Sequence, residues 1–293
     1  MSLIKKQFDI LVSSNPVLGA NNVRNNGGTF TVNFEDNGLD IPSNAENVSL
    51  QVINSELWYN EPNVITGVND QLDFGYQDTG GVLIESTITF DEGLYLVDDI
   101  QLALERGVSD LVAAGTLTDN IFKDGKLRIQ FGADNPRSRV SLDFTIDGSN
   151  TYGMSCNFSS ARSIGKLLGF TNPPLQPITP SATETHFIGD QNPQFNTFNY
   201  YLLQSNIVSK GMRIGPTFDT IIAKILVQAK PNSQIMYSPT IPALIDASSL
   251  KGSNRRDYTF TLLDDKKNVI NTRGEFWSAQ IRISYDQPYV YGN

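Results

Sequence analysis

The stretch EFWSAQIRISYD at residues 275–286 alternates apolar and polar side chains with a period of two. The apolar parity is carried by Trp277, Ala279, Ile281, Ile283 and Tyr285. A period of two sends successive side chains to opposite faces of a β-strand, so the pattern predicts a strand with one face in a core. The segment DYTFTLL at 257–263 alternates in the same way, and the polar residues between the two segments favour a turn. We therefore expect a β-hairpin that closes a β-rich domain.

The same alternation recurs along most of the chain and predicts eight strands. They are residues 29–35, 47–59, 71–76, 198–208, 217–228, 234–237, 257–263 and 275–286. Eight antiparallel strands in two sheets is the number that a jelly-roll sandwich requires. In the second segment the apolar parity switches between Val52 and Ile53, which predicts a β-bulge or a strand that crosses between sheets.

The pattern changes character between residues 84 and 170. Helical spacing of apolar residues predicts a helix over residues 97–106, and a shorter helix is expected at 161–168, with strands around them. This region predicts a small α/β subdomain inserted into the jelly roll. Residues 171–195 hold five prolines, a density that opposes helices and central strands and indicates an extended connector.

These patterns divide the chain into six predicted parts. They are an N-terminal arm at 1–28, the first jelly-roll strands at 29–83, the insertion at 84–170, the connector at 171–195, the remaining jelly-roll strands at 196–286 and a C-terminal tail at 287–293. The arm is rich in Gly, Asn and Pro after a short apolar patch, so we expect it to become ordered against a partner.

Composition excludes several classes of function. The net charge is −9, from 22 basic and 31 acidic residues, and Lys and Arg form no stripe that would neutralise phosphates, so nucleic-acid binding is not expected. A single cysteine rules out an intrachain disulfide and thiolate metal clusters. The sequence has no apolar run of about 18 residues and no basic-then-apolar leader, so we expect no membrane span and folding in the cytosol.

Catalytic motifs are missing from the sequence. His186 lies in the connector and Cys156 in the insertion, and neither a Gly-x-Ser-x-Gly elbow nor a phosphate-cradling glycine loop accompanies them. The paired carboxylates at 91–92, 98–99 and 264–265 suit turns and helix caps rather than general acid–base chemistry, which needs two carboxylates across a cleft. We therefore expect no enzyme, no cofactor and no metal site, and function carried by surfaces.

Exposed apolar and aromatic side chains at strand ends are the candidates for such surfaces, because they suit sugar stacking or subunit contacts. The predicted interface residues are Ile4, Ile10, Trp58, Tyr59, Tyr289 and Tyr291.

Short sequence blocks resemble a known family. Within the insertion they are FDEGLY (90–95), DIQLAL (99–104), KLRI (126–129), LDFT (142–145) and LLGF (167–170). In the later strands they are LQSNIV (203–208), NVIN (268–271) and GEFW (274–277). Together they resemble penton proteins, the single-jelly-roll vertex proteins of virophages, Polinton-like viruses and their relatives in the tectivirus–adenovirus lineage. The similarity spans roughly residues 29–286.

The resemblance implies a structural capsid protein that forms homopentamers at icosahedral fivefold vertices and contacts the major capsid protein. It also implies a location in the virion, after folding in the host cytoplasm or virus factory, with a host receptor as a further partner. A closed ring of wedge-like sandwiches uses heterologous interfaces, which fits this picture, and the arm at 1–28 would tie the ring to its neighbours. Two alternatives remain open: a lectin-like carbohydrate- or receptor-binding sandwich on a virion or cell surface, and a glycan hydrolase that uses a carboxylate pair.

Overall fold

The computed structural model describes residues 3–35, 38–77, 83–117, 127–134, 139–146, 154–171, 175–178, 184–214 and 216–288. The chain forms two compact units. Residues 1–61 and 198–293 form the first, which we call the sandwich unit, and residues 62–197 form the second, the inserted unit.

The secondary structure of the described residues is mainly β. Up to the long helix, the elements are β1 (Leu3–Ser13), β2 (Ala20–Arg24), β3 (Thr29–Asn33), β4 (Glu46–Tyr59), β5 (Gln71–Gln77), β6 (Leu83–Thr89) and α1 (Val97–Ala113). They continue with β7 (Leu127–Asp134), β8 (Arg139–Ile146), β9 (Met154–Asn157), α2 (Gly165–Leu168), β10 (Leu175–Ile178), β11 (Glu184–Ile188) and β12 (Tyr200–Ser205). The last are β13 (Arg213–Ile214), β14 (Thr217–Phe218), β15 (Ile221–Leu226), β16 (Ser233–Tyr237), β17 (Ile245–Asp246), β18 (Asp257–Leu263) and β19 (Ser278–Pro288).

Besides the two-stranded pair β13-β14, the described part of the sandwich unit is built from two antiparallel sheets. The first has the order β1-β19-β4-β16, with β17 also paired to β4, and the second has the order β15-β12-β18-β3-β2. If β1, β3, β4, β12, β15, β16, β18 and β19 are numbered one to eight, the orders become 1-8-3-6 and 5-4-7-2, which is the jelly-roll arrangement. The predicted jelly-roll class is confirmed, although the strands that compose it differ from the predicted set. The expected closing hairpin is wrong, because β18 and β19 lie in different sheets and do not pair with each other.

The predicted N-terminal arm is corrected by the structure, because most of it is strand. β1 pairs with β19 without interruption from Leu3 opposite Pro288 to Ser13 opposite Ser278. The arm holds a second strand as well, since β2 adds to the edge of the other sheet. Polar and apolar residues do alternate in β1, but only over a short stretch. The strand to which β1 is hydrogen-bonded, β19, lies at the other end of the chain.

The strand β4 contains the predicted irregularity. Its buried residues are Val48, Leu50 and Val52, after which the buried parity moves to Ser55 and Leu57. In the ladder with β19, residue 52 pairs with 281 and residue 54 with 280, so residue 53 is the extra residue of a β-bulge. The bulge keeps apolar residues facing the core at both ends of a 14-residue strand.

Trp277 joins the N-terminal turn to both sheets. Its indole Nε1–H donates to the Gly27 carbonyl at 2.7 Å, and its ring meets Phe30 of β3 edge-to-face with centroids 5.0 Å apart. Its backbone N–H donates to Ser14 Oγ at 3.0 Å, while its carbonyl accepts the Ser14 N–H at 2.9 Å. Gly27 has a backbone φ of +117°, a conformation that favours glycine. The position of the carbonyl that accepts the indole N–H therefore depends on a glycine at residue 27.

Among the described residues, the inserted unit contains two further sheets and the helices α1 and α2. The sheets have the orders β10-β9-β5-β6 and β11-β8-β7. Ile100 and Leu104 of α1 are buried in one apolar core with Phe74 of β5 and Ile88 of β6. The α/β insertion is therefore present, with its helix α1 longer than the predicted segment at 97–106.

The boundaries of the insertion differ from the predicted ones. The unit begins at residue 62 and ends at 197, so it includes the predicted strand at 71–76, which pairs with β6 and β9 rather than with the jelly roll. It also includes the predicted connector at 171–195, whose described parts form β10 and β11 at the edges of their sheets. The described strands of this segment are not central, as its proline density predicts. The prolines do not prevent β10 and β11 from forming, because strands at the edge of a sheet tolerate proline.

An ion pair between the partly exposed Arg162 and the buried Asp70 holds the start of β5 to the segment before α2. Arg162 donates from Nε and Nη2 to the two carboxylate oxygens of Asp70 at 2.9 and 2.6 Å, and the Asp70 side chain is fully covered. The Gly67 backbone N–H also donates to this carboxylate. The Arg162 hydrogen bonds lower the pKa of Asp70 from 3.8 to about 2, against the opposing effect of burial.

Replacement of Trp277 by alanine should cost about 3–5 kcal/mol of unfolding free energy, because it opens a cavity and leaves the Gly27 carbonyl without its donor. Trp277→Phe should recover part of the loss, since it restores the ring but not the hydrogen bond. Chemical denaturation of the three proteins measures the difference. An unchanged midpoint for Trp277→Ala would contradict the packing role.

Asp70→Asn should destabilise the protein near neutral pH but not in strong acid. The folded-state pKa of Asp70 lies below its ordinary value, so the ion pair contributes its full stability above about pH 4 and loses it as pH falls through 2. Thermal unfolding measures the melting temperatures of both proteins from pH 7 to pH 2, and the difference between them should narrow as the pH falls. A difference that stays constant with pH would exclude the carboxylate charge as its cause.

Candidate assembly surfaces

Within the described residues, the side chains considered for catalysis or metal binding do not come together in one site. No group of three or more His, Cys, Asp or Glu side chains in that part of the chain is placed to hold a metal ion. Cys156 is fully buried, and burial raises the pKa of its thiol, so the thiolate needed for nucleophilic attack is strongly disfavoured. His186 lies in β11, in a different sheet from Cys156 in β9.

Trp58 and Tyr59, both predicted as interface residues, point to opposite faces of β4. Trp58 is 40% exposed, whereas Tyr59 is 1% exposed and packs edge-to-face on Phe198 with centroids 6.1 Å apart. The prediction for Tyr59 is therefore corrected: this residue belongs to the core. Because the bulge at residue 53 shifts the parity, the last residue of the strand faces inward.

The remaining predicted interface residues lie at the chain ends. Ile4 is largely exposed near the start of β1, opposite Gln287. Ile10 is half-buried and pairs directly with Ile281, so it contributes to the sandwich core. Tyr289 and Tyr291 lie outside the described residues.

The sequence analysis missed the most exposed apolar side chains. Six large apolar residues of the described chain are between 61% and 88% exposed, above the 57% of Val68, which comes next. They are Leu11, Val17, Leu18, Met236, Ile241 and Leu244. All six belong to the sandwich unit. They fall into two groups along the chain, one from the end of β1 to the turn before β2 and the other from β16 to the residue before β17.

Val17 and Leu18 of the first group project from a tight 3₁₀ turn at Pro16–Leu18, which we call the knob, whereas Leu11 lies in β1. Asn15 Oδ1 accepts the Val17 N–H at 3.0 Å, and the Asn15 carbonyl accepts the Leu18 N–H at 3.0 Å. Gly19 closes the turn at φ of +91°. Since the polar backbone groups are satisfied locally, the turn holds the Val17 side chain in solvent at 88% exposure.

Met236 of the second group lines a groove of about 460 Å³ between β15 and β16, which we refer to as the groove. Its lining is mixed: the apolar and aromatic side chains include Leu226, Met236, Tyr237 and Pro239, and the polar ones are Lys224, Gln228, Gln234 and Ser238. Ile241 and Leu244 continue the same edge, because β16 and β17 both pair with β4.

The outer face of the first sheet is polar by comparison. Arg282 donates from Nε and Nη2 to the two carboxylate oxygens of Asp9 at 2.8 and 2.9 Å, and Gln280 adds a third bond at 3.1 Å. The hydrogen bond from Arg282 lowers the pKa of Asp9. This network ties β1 to β19 and leaves a hydrated surface. The most exposed apolar residues of this face, Leu11 opposite Gln280 and Met236 opposite Glu56, belong to the edge strands β1 and β16.

Neither helix in the described ranges has both the length and the apolar character needed to cross a bilayer. No protein-family profile matches the chain, and no curated protein matches it in sequence.

The fold, in contrast, has solved counterparts. The crystal structure of the mavirus penton protein superimposes with a TM-score of 0.52 at 11% sequence identity, covering 96% of this chain and 100% of the penton chain. A chain of the Sputnik virophage, solved by cryo-electron microscopy, aligns with a TM-score of 0.43 at 12% identity, covering 95% of this chain and 97% of the other. The alignment with the mavirus protein shows that the chain has a penton-like fold.

The neighbouring residues Trp58 and Tyr59 provide a matched pair of substitutions. Tyr59→Ala should cost about 3–5 kcal/mol of unfolding free energy because it removes a buried ring. Trp58→Ala should cost about 1 kcal/mol or less, since much of the indole is already in solvent. Urea denaturation of both variants measures the two losses. Equal losses would mean that Trp58 is as important to the core as Tyr59.

Proposed function

We propose that this protein is a structural capsid protein that forms homopentamers at the fivefold vertices of an icosahedral virus and contacts the surrounding major capsid protein. The observation that carries the proposal is the penton-like fold, which extends over the jelly roll and the inserted unit together. A bare jelly roll occurs in many unrelated proteins, so the shared insertion makes the similarity more specific.

The surface chemistry of the sandwich unit supports assembly. Exposed apolar side chains are grouped at strand edges, and apolar patches on otherwise polar proteins mark interaction sites. The composition is only 18% charged, and charged residues are depleted at the centres of protein interfaces. A ring of identical subunits needs two different surfaces on each copy, which the two edges provide.

On this proposal the protein resides in the virion and is not an enzyme. The buried thiol of Cys156 supports the second statement, since it is inaccessible to a substrate. Its partners are four further copies of itself and the major capsid protein, with a host receptor as an additional partner.

A receptor- or carbohydrate-binding module is the second candidate function, and the exposure of Trp58 favours it. An indole that is 40% exposed on a strand end can stack on a sugar ring. The two functions are compatible in a vertex protein, because a ring can carry receptor sites on its outer surface.

Native mass spectrometry combined with negative-stain imaging tests the first function. We expect a species of five protomers and ring-shaped particles with fivefold symmetry, in exchange with monomer. A protein that stays monomeric up to the highest soluble concentration, and is not incorporated when co-expressed with its capsid partner, would contradict the proposal. A monomer that binds glycans on an array, with binding lost in Trp58→Ala, would favour the second function instead.

A further inference from the structure

The two groups of exposed apolar residues lie on opposite edges of the sandwich unit. In the first sheet β1 is at one end of the strand order and β16 at the other, and in the second sheet β2 is at one end and β15 at the other. The knob connects β1 to β2, so it belongs to one edge. The groove is lined by β15 and β16, so it belongs to the opposite edge.

We propose that the knob of one copy inserts into the groove of the next copy, and that this contact is the repeating interface of the ring. The proposal rests on the proposed ring-forming function and identifies the surfaces that form it. Its occupant is defined: Val17 and Leu18 of a second copy of this chain, seated against Leu226, Met236 and Tyr237.

The shapes of the two edges favour a head-to-tail contact between knob and groove over a symmetric contact between two identical edges. A knob that met another knob, or a groove that met another groove, would leave the complementary surface of each copy uncovered. A head-to-tail contact covers both groups of apolar residues in every subunit, and it repeats around a closed ring. The groove volume of about 460 Å³ lies in the range of cavities that receive compact apolar groups.

Charge supports the same pairing. Residues 10–23, which include the knob, contain no charged side chain, so the knob is buried without desolvating an ion. Lys224 and Lys230 are the only charged residues between 221 and 245, the segment that forms the groove and its continuation. Glu275 is an exposed carboxylate two residues before Trp277, whose backbone pairs with Ser14, and Ser14 lies two residues before the knob. Lys224, which lines the groove, carries the opposite charge.

Disulfide trapping tests the contact directly. Val17→Cys and Met236→Cys, combined in one chain, should form intermolecular disulfides under mild oxidation and give a ladder that ends at the five-subunit product. The two positions lie on opposite edges of one copy, so they cannot join within it, and the native Cys156 is buried. The matched control replaces Met236→Cys with Leu102→Cys, an exposed apolar position on α1 of the inserted unit.

Charge swapping provides the second measurement. Val17→Glu alone and Met236→Lys alone should each raise the protomer concentration for half-assembly about tenfold or more, because each buries an unpaired charge. The double variant should recover most of the loss. Val68→Glu, on the inserted unit, should leave assembly unchanged and controls for added charge.

The outcomes separate this proposal from the function on which it rests. Fivefold rings that form without knob–groove disulfides, or that tolerate both charge variants, would overturn the proposed contact and leave the capsid function intact. Specific disulfides in open chains or in rings of another number would support the contact and contradict the pentamer. If neither assemblies nor disulfides above the control level form, both proposals fail.

Discussion

The pairing of β19 with both β1 and β4 is the constraint on which the sandwich unit depends. β19 lies between them in the first sheet, so the last described strand is central and the first strand completes one side of it. The Asp9–Arg282 pair spans 273 positions of sequence, and Trp277 reaches back 250 positions to Gly27. Such non-local contacts carry a large loop-closure cost and are expected to form late in folding. Once they form, the core between the sheets is closed, and the described strands of the two sheets that keep an unpaired side lie at the two lateral edges.

Much of this architecture follows from the sequence, because period-two alternation is a local signal. It identifies β18 and β19 as strands, and the parity switch in β4 correctly indicates a bulge. It does not show that β18 and β19 join opposite sheets instead of forming a hairpin. It failed where the deciding contact is distant: β1 was interpreted as an arm since its partner is at the other end of the chain, and β5 was assigned to the jelly roll since alternation does not reveal which sheet a strand joins. The boundaries of the insertion were misplaced for the same reason.

The candidate surfaces were less predictable than the fold. Aromatic residues at strand ends were sensible choices, yet the bulge turned Tyr59 into the core while Trp58 stayed exposed. Val17 and Met236 gave no signal of their own, because residue type does not reveal exposure. Val17 is held outward by a capped turn, and Met236 is on the outer side of an edge strand. Together these findings describe a sandwich with a closed interior, a hydrated outer face and two apolar edges, which suits a subunit that repeats around a ring.

Hydrogen–deuterium exchange compared between dilute monomer and assembled particles tests this account most directly. The central strands are paired within each copy, so the amides of β4 and β19 should be protected equally in both states. Assembly should slow exchange at residues 14–19 and 233–244, the two edges, by about tenfold or more, as expected for buried edge amides. Slowed exchange confined to the inserted unit or to the outer face of the first sheet would contradict the account, as would rapid exchange of β19 in the monomer.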